Sequence, residues 1–189
     1  MNDLITNIDR LHTTPMGEER IRRNLDLQEA DEWRVQAWEM IRQRQDLEFL
    51  ILTKRIDRFE VSFPSDWGDG YENVNLGCTV ENQEIADYRL PLFLSYPIKR
   101  RFIACSPLLG AIDLSPYLKG VEYVTVAGES GRDARECDYN RVLDIRENAL
   151  RQARPFGLRE RGRSFGKTAR CRRLIRLSRA SMHDIAGLI

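Results

Sequence analysis

Four short apolar runs, each ending in a polar or glycine-rich cluster, dominate the hydrophobic pattern of the chain. They lie at about 47–53, 73–80, 100–105 and 121–127, and a weaker run follows at 155–159. Runs of about four to eight apolar residues, separated by helix-period stretches, are typical of parallel strands that are buried on both faces. The pattern therefore predicts an α/β fold with four to five parallel strands.

Helical periodicity appears on both sides of these runs. The segments 29–44 and 138–153 each carry an apolar stripe at helical spacing. The stripes consist of Trp33, Ala37, Met40 and Ile41 in the first segment and of Val142, Ile145 and Ala149 in the second. Trp38 lies off its stripe, but aromatic residues in such a helix are usually core, and we expect Trp33 and Trp38 both to be buried. The segment 81–95 indicates a helix that Pro91 breaks or kinks.

Strands and connections that alternate with right-handed crossovers predict a partial parallel (β/α) barrel or an open parallel sheet. A complete eight-stranded barrel needs about 200 residues or more, and this 189-residue chain shows only four or five strands. We expect a variable segment at 1–28, a partial-barrel domain at 29–165 and a basic tail at 166–189. Half a barrel leaves parallel edges exposed. The chain would then be a fragment, would have a partner chain over the open barrel edge, or would close its sheet in another way.

Composition excludes several classes of protein. A hydrophobic fraction of 42% and a charged fraction of 31% are ordinary for a globular chain. No apolar stretch approaches the ~18 residues of a membrane span, and the N-terminus lacks a signal-peptide pattern. We therefore expect a cytoplasmic protein with no membrane partner. The two histidines, His12 and His183, lie near the termini, which disfavours a histidine metal site and a Ser-His-Asp triad.

The four cysteines, Cys78, Cys105, Cys137 and Cys171, show none of the close spacings that prepare a zinc or iron–sulfur site. Cys78 and Cys105 fall inside expected strands, where a cysteine is usually a small buried hydrophobe. We expect no metal ligands among them.

Charge is distributed unevenly along the chain. Residues 151–179 hold eleven basic residues and one acid, whereas residues 1–150 hold 19 basic and 27 acidic residues. This asymmetry indicates an acidic body with a basic C-terminal arm, which is a candidate nucleic-acid contact. A solvated tail is the alternative, because only Phe156 and Phe165 could stack on bases. The candidate phosphate contacts are Arg170, Arg172, Arg173 and Arg176.

Polar residues follow each of the four main runs, and in a parallel sheet the carboxyl ends of the strands share one crevice. Lys54 and Arg55 would hold a phosphate or carboxylate there. The alternatives are that they lie at a solvated strand exit or pair with Glu81 or Glu129. Asn82 would either position a substrate or cap a helix. The candidate ligand-binding residues are Thr53, Lys54, Arg55, Glu81, Asn82, Ser106, Gly128, Glu129 and Ser130.

Several of these segments also match one known pattern between about 29 and 153. The clearest are Leu52-Thr-Lys-Arg55, Trp67-Gly-Asp-Gly-Tyr-Glu-Asn-Val74, Cys78-Thr-Val-Glu-Asn82 and Gly128-Glu-Ser-Gly131. Together they resemble a bacterial and phage-associated family of uncharacterised three-cysteine-motif, radical-SAM-like proteins. The resemblance implies a partial barrel and an N-terminal three-cysteine segment that holds a [4Fe–4S] cluster. It also implies S-adenosylmethionine at the open iron, whose reductive cleavage would generate a radical.

Three departures from that pattern change the expected function. Residues 1–28 contain no cysteine, Ser106 stands where the family usually has Glu, and Arg159-Glu-Arg-Gly162 replaces a Lys-Gln-Thr-Gly element. We therefore expect a truncated relative without its own [4Fe–4S] cluster, inactive alone unless another chain or an upstream segment supplies one. Its crevice would bind S-adenosylmethionine or another small anionic ligand, with Glu129 receiving an ammonium group. The alternative is a non-enzymatic module that binds nucleic acid or protein through its basic tail.

Overall fold

The computed structural model describes residues 28–130 and 133–159. Residues 1–27 of the expected variable segment at 1–28, and the whole of the expected basic tail at 166–189, lie outside these described residues. The chain divides into two compact units between Leu47 and Glu48. The first helix, α1 (Gln28–Gln43), belongs to the first unit, and the elements described below belong to the second.

Helix α1 buries only part of the apolar stripe that the sequence predicts. Trp38 and Ile41 are buried, as expected, but Trp33 is 57% exposed. The prediction that Trp33 is a core residue is therefore wrong. Five residues separate the two tryptophans, so they point about 140° apart around the helix axis and do not share one face.

The second unit contains a five-stranded parallel sheet whose strands follow one another in chain order. This confirms the α/β class and the fifth, weaker strand, but among the described residues the sheet is open rather than closed. The strands are β1 (Phe49–Thr53), β2 (Val74–Thr79), β3 (Arg100–Cys105), β4 (Tyr123–Val126) and β5 (Phe156–Leu158).

Short helical turns and two longer helices connect these strands. The helices are α2 (Phe59–Ser62), α3 (Gln83–Ser95) and α4 (Tyr139–Arg151), with 3₁₀ turns at Ile56–Arg58 and Ser115–Tyr117. Asp138 caps α4, and the expected stripe of Val142, Ile145 and Ala149 is buried. No helix in the described part of the chain is long and apolar enough to cross a membrane.

Pro91 does not break α3, because the helix continues through it to Ser95. Of the two expected outcomes, the break is therefore wrong, and the kink stays a prediction. A proline inside a helix removes the hydrogen bond to the carbonyl four residues earlier, here Asp87. Both Pro91 and Asp87 are exposed, so water can satisfy the carbonyl that loses its donor. The helix therefore tolerates this proline on its solvent side.

Each face of the sheet has its own chemistry. One face, which we call the Val124 face, presents buried apolar side chains from the three central strands, namely Val74, Leu76, Cys78, Ile103, Cys105, Val124 and Val126. The other, the Phe102 face, mixes aromatic, polar and glycine positions. Its members include Leu50, Leu52, Asn75, Gly77, Thr79, Arg100, Phe102, Ala104, Tyr123, Thr125 and Gly157.

On the Phe102 face, the ring of Phe102 lies directly over Gly77 and stacks on Tyr123, with ring centroids 4.9 Å apart. The strand-end positions 54, 81, 106 and 129 have the same parity as the members of this face on their own strands. Alternation of side chains holds only within the strands, so it is the contact between Lys54 and Glu81, rather than parity, that shows two of these positions meeting.

Candidate functional site

Charged side chains from three strands meet at the carboxyl edge of the sheet. Lys54 Nζ, just past β1, lies 3.0 Å from Glu81 Oε1, just past β2. Lys54 is also close enough to Glu129, beyond β4, for its charge to help lower the pKa of that carboxyl group. The parallel topology thus brings Lys54, Glu81 and Glu129 into one cluster at the edge where ligands bind in open α/β sheets.

Glu81 is the centre of an ion network that reaches back to helix α3. Arg89 donates from Nη1 to Glu81 Oε2 at 3.0 Å and to the carbonyl oxygen of Thr79 at 2.8 Å. The side chains of Glu81 and Arg89 are only 12% and 15% exposed, whereas that of Lys54 is 34% exposed. In this Glu81 network, composed of Lys54, Glu81 and Arg89, Lys54 is therefore the member best placed to meet a ligand.

Arg89 is a site residue that sequence reasoning missed. It lies on the same side of α3 as Ala86 and Phe93, both of which are buried. A charged residue at such a helical position is rarely buried without a partner. The spacing of positions 86, 89 and 93 therefore indicates that Arg89 lies on the buried side of the helix and needs an acidic partner. Glu81 is that partner.

Glu129 is held by a second arginine, Arg135. Its carboxylate accepts hydrogen bonds from Arg135 Nε at 2.8 Å, Nη2 at 2.7 Å and the backbone N–H at 2.8 Å. These bonds lower the pKa of Glu129 from 4.5 to about 2, with a smaller contribution from the charge of Lys54. Glu129 therefore stays ionised across the physiological range, as an ammonium-binding group must.

Replacement of Arg135 by methionine should return the pKa of Glu129 toward its ordinary value of 4.5. The folded-state pKa is depressed, so the pair contributes stability above pH 4.5 and loses it as the pH falls toward 2. Carbon-13 NMR of the side-chain carboxyl carbons, recorded across this range, measures the shift directly. An unchanged midpoint in the variant would show that Arg135 does not hold the carboxylate.

Three of the predicted site residues are engaged locally. Thr53 Oγ1 accepts a hydrogen bond from the backbone N–H of Arg55 at 2.9 Å. The guanidinium of Arg55 forms a two-point ion pair with Asp57 at 3.0 and 3.1 Å, rather than with Glu81 or Glu129 as one alternative proposed. Asn82 Oδ1 accepts from the backbone N–H of Ile85 at 2.9 Å and caps α3, in agreement with the capping alternative.

The loop after β3 closes one side of the cluster. The backbone N–H groups of Leu109 and Gly110 donate to the carbonyl oxygen of Glu81 at 2.8 and 3.1 Å. Arg141 on α4 fixes the same loop by donating to the carbonyl oxygen of Leu109 at 2.7 Å. Ser106 is half-buried at the start of this loop. The loop therefore ties the ends of β2 and β3 together beside the cluster.

Beyond β4, Gly128 is half-buried and Ser130 is exposed. They flank Glu129 in the sequence. Of the segment 128–130, Glu129 is thus the residue whose side chain the structure ties into the charged cluster.

The described cysteines lie in the interior of the protein. Cys78 and Cys105 lie on the apolar Val124 face, and Cys137 is also buried. Burial raises the pKa of the Cys78 thiol to about 12 and that of the Cys105 thiol well above its ordinary value. Cys78 and Cys105 are therefore protonated side chains of the apolar core. Within residues 28–130 and 133–159, no three His, Cys, Asp or Glu side chains are grouped to hold a metal ion.

The chain is thus an open parallel α/β protein with a charged cluster at the carboxyl edge of its sheet, the edge at which proteins of this class commonly bind ligands. Within that class, the chain belongs to a family described as "Protein of unknown function (DUF5131)", whose model matches residues 25–181. The match continues past 153, where the quoted motifs end, and includes the arginines of the basic tail. Neither a curated protein nor a solved structure matches the chain.

Proposed function

We propose that the strand-end cluster binds a small molecule that carries both an ammonium group and an anionic group. The observation that carries this proposal is the meeting of Lys54 with Glu81 and Glu129 at one edge of the sheet. A carboxylate that remains ionised suits an ammonium group, and a lysine beside it suits a carboxylate or phosphate. An α-amino acid moiety presents this pair of charges.

S-adenosylmethionine is the first candidate ligand, on the basis of the radical-SAM-like resemblance of the strand-end motifs. In this proposal Glu129 holds its ammonium group and Lys54 its carboxylate. Radical chemistry by this chain alone is not part of the proposal, because residues 1–28 contain no cysteine and the described cysteines are buried. The chain would act as a ligand-binding relative of such enzymes, with any cluster supplied by another chain.

Isothermal titration calorimetry with S-adenosylmethionine tests the proposal. Glu129→Gln keeps the shape of the side chain and removes its charge, so we expect binding to weaken by roughly tenfold to a hundredfold, the range for losing a charged hydrogen bond. Arg135→Met should tighten binding, because Arg135 occupies the carboxylate that the ammonium group would use. Adenosine lacks the amino acid moiety, so the parent chain and the variants should bind it with the same affinity.

Glu147→Gln is the matched control, since Glu147 pairs with Arg151 on the exposed side of α4, outside the cluster. It should bind S-adenosylmethionine as the parent chain does. Equal affinities for the parent chain and Glu129→Gln would contradict the proposal. Absence of binding to both would contradict it as well.

The basic tail supports a second candidate function, binding of nucleic acid. Residues 151–179 carry a net charge of +10, and they fall inside the region that the family model matches. Binding of an oligonucleotide that weakens steeply with added salt, and that is lost in a chain with Arg170, Arg172, Arg173 and Arg176 replaced by alanine, would favour this function.

A further inference from the structure

The outer backbone edge of β1 is a second feature of the sheet. The proposed ligand uses Lys54, just past the end of this strand, but not the edge itself. Among the described residues, β1 pairs with β2 alone and is the first strand of the sheet. The strand, Phe49-Leu-Ile-Leu-Thr53, has no charged residue and no proline, and none of its side chains is buried. Leu50 is 63% exposed. An apolar edge strand without such protective residues is a template for pairing with another strand.

The backbone of β1 shows which of its polar groups point outward. The N–H of Phe49 donates to the carbonyl oxygen of Asn73 at 2.8 Å, toward β2, and the carbonyl oxygen of Thr53 accepts from Thr79 on the same side. Successive residues of a strand direct their N–H and C=O groups to opposite sides. Leu50 and Leu52 therefore present theirs to the outer edge.

We propose that this edge pairs with the same edge of a second copy of the chain, antiparallel, about a two-fold axis at Ile51. In this register Leu50 lies opposite Leu52 of the second copy, and their outward N–H and C=O groups form closely spaced hydrogen-bonded pairs. Such an interface is isologous, so each contact occurs twice.

Charge selects this register among the alternatives. With the axis at Ile51, Glu48 of each copy faces Lys54 of the other, on the same side of the combined sheet. An axis at Leu50 would set Glu48 against Leu52, and an axis at Leu52 would set it against Ile56. Within its own chain Glu48 pairs with Arg100, and Lys54 pairs with Glu81 at 3.0 Å, but the two side chains remain 37% and 34% exposed. An opposite charge across the two-fold axis would therefore add to these pairs rather than replace them.

The expected dimer is weak. One pair of five-residue strands buries less than the ~1,200 Å² at the lower end of stable interfaces. We therefore expect a dissociation constant in the micromolar range or above, so that the dimer forms only as the protein is concentrated.

Sedimentation equilibrium of the full chain over a range of concentrations tests this proposal. The parent chain should pass from monomer to dimer, and Leu50→Pro, which removes one outward N–H, should remain monomeric. Leu50→Ala is the control, since it removes most of the same exposed side chain but keeps the N–H, and it should still dimerise. A parent chain that is monomeric at every concentration overturns the proposal. A dimer that Leu50→Pro leaves unchanged also overturns it.

Charge reversal tests the register. Glu48→Lys and Lys54→Glu, each alone, place like charges across the axis and should weaken dimerisation by about tenfold. Mixing the two variants should restore a heterodimer, because both cross-axis pairs are then opposite in sign. Within one chain the two positions lie about 20 Å apart along β1, so no contact inside a monomer explains such a rescue. Failure of the mixture to associate more tightly than either variant alone overturns the register.

Hydrogen exchange separates a second copy from a segment of the same chain as the occupant. The amides of Leu50 and Leu52 should exchange rapidly in dilute monomer and slowly in concentrated dimer. Slow exchange in the monomer would mean that another part of the chain covers the edge, and it would overturn the proposal.

Discussion

Replacement of Gly77 by alanine should lower the free energy of unfolding by about 1–3 kcal/mol, the usual cost of overfilling a packed site. A Cβ atom at this position would overlap the ring of Phe102. That ring is buried and stacks on Tyr123, so it can move aside only by giving up the aromatic contact. Valine should cost more than alanine, because it adds two further methyl groups under the ring. Urea denaturation followed by circular dichroism measures the change.

Gly157 provides the matched control for this prediction. It lies on the same face of the sheet, but a Cβ there would meet only Thr125 Cγ2, at an ordinary contact distance of 3.7 Å. Gly157→Ala should therefore change the stability by no more than about 0.5 kcal/mol, the level of an unstrained substitution. Removal of the ring by Phe102→Ala should abolish most of the additional cost of Gly77→Ala. Equal losses at the two glycines would contradict the proposed overlap.

The sequence predicted the strands well because each is a short apolar run between polar clusters. Topology then placed Lys54, Glu81 and Glu129 at one edge without any knowledge of side-chain positions, since the ends of parallel strands must coincide. The same argument could not determine whether the sheet closes into a barrel. Closure depends on strand number, tilt and stagger acting together, and none of these can be read from an apolar run.

The ion-pair partners of the site residues were harder to predict than the positions of these residues in the fold. Arg55 pairs with Asp57, two residues away, rather than with a carboxylate from another strand, because a short local link costs little chain entropy. Arg135 reaches Glu129 across a loop, and no periodic pattern marks such a contact. The exposure of Trp33 could not be predicted either. Helix α1 carries tryptophans on two sides, and the sequence does not show which of the two sides is buried.

Replacement of Arg89 by methionine should destabilise the protein by about 2–4 kcal/mol, the cost of breaking a largely buried, charged hydrogen bond. Glu81 would lose the donor to its Oε2 atom, and the carbonyl oxygen of Thr79 would lose a 2.8 Å hydrogen bond. Thermal and urea denaturation measure this loss. Arg151→Met is the control, because its pair with Glu147 is shorter, at 2.6 Å, but 71% and 62% exposed.

We expect little measurable change in Arg151→Met, since solvent screens an exposed pair whatever its length. If the charge of Glu81 is what makes the loss of Arg89 costly, Glu81→Gln should recover part of the stability lost in Arg89→Met. Purely additive losses would contradict this coupling. A coupled result would also explain why Glu129, rather than Glu81, is the carboxylate to change in a binding experiment. Glu81 would stabilise the fold through Arg89, whereas Glu129 is held only at an exposed loop and can exchange its partner for a ligand.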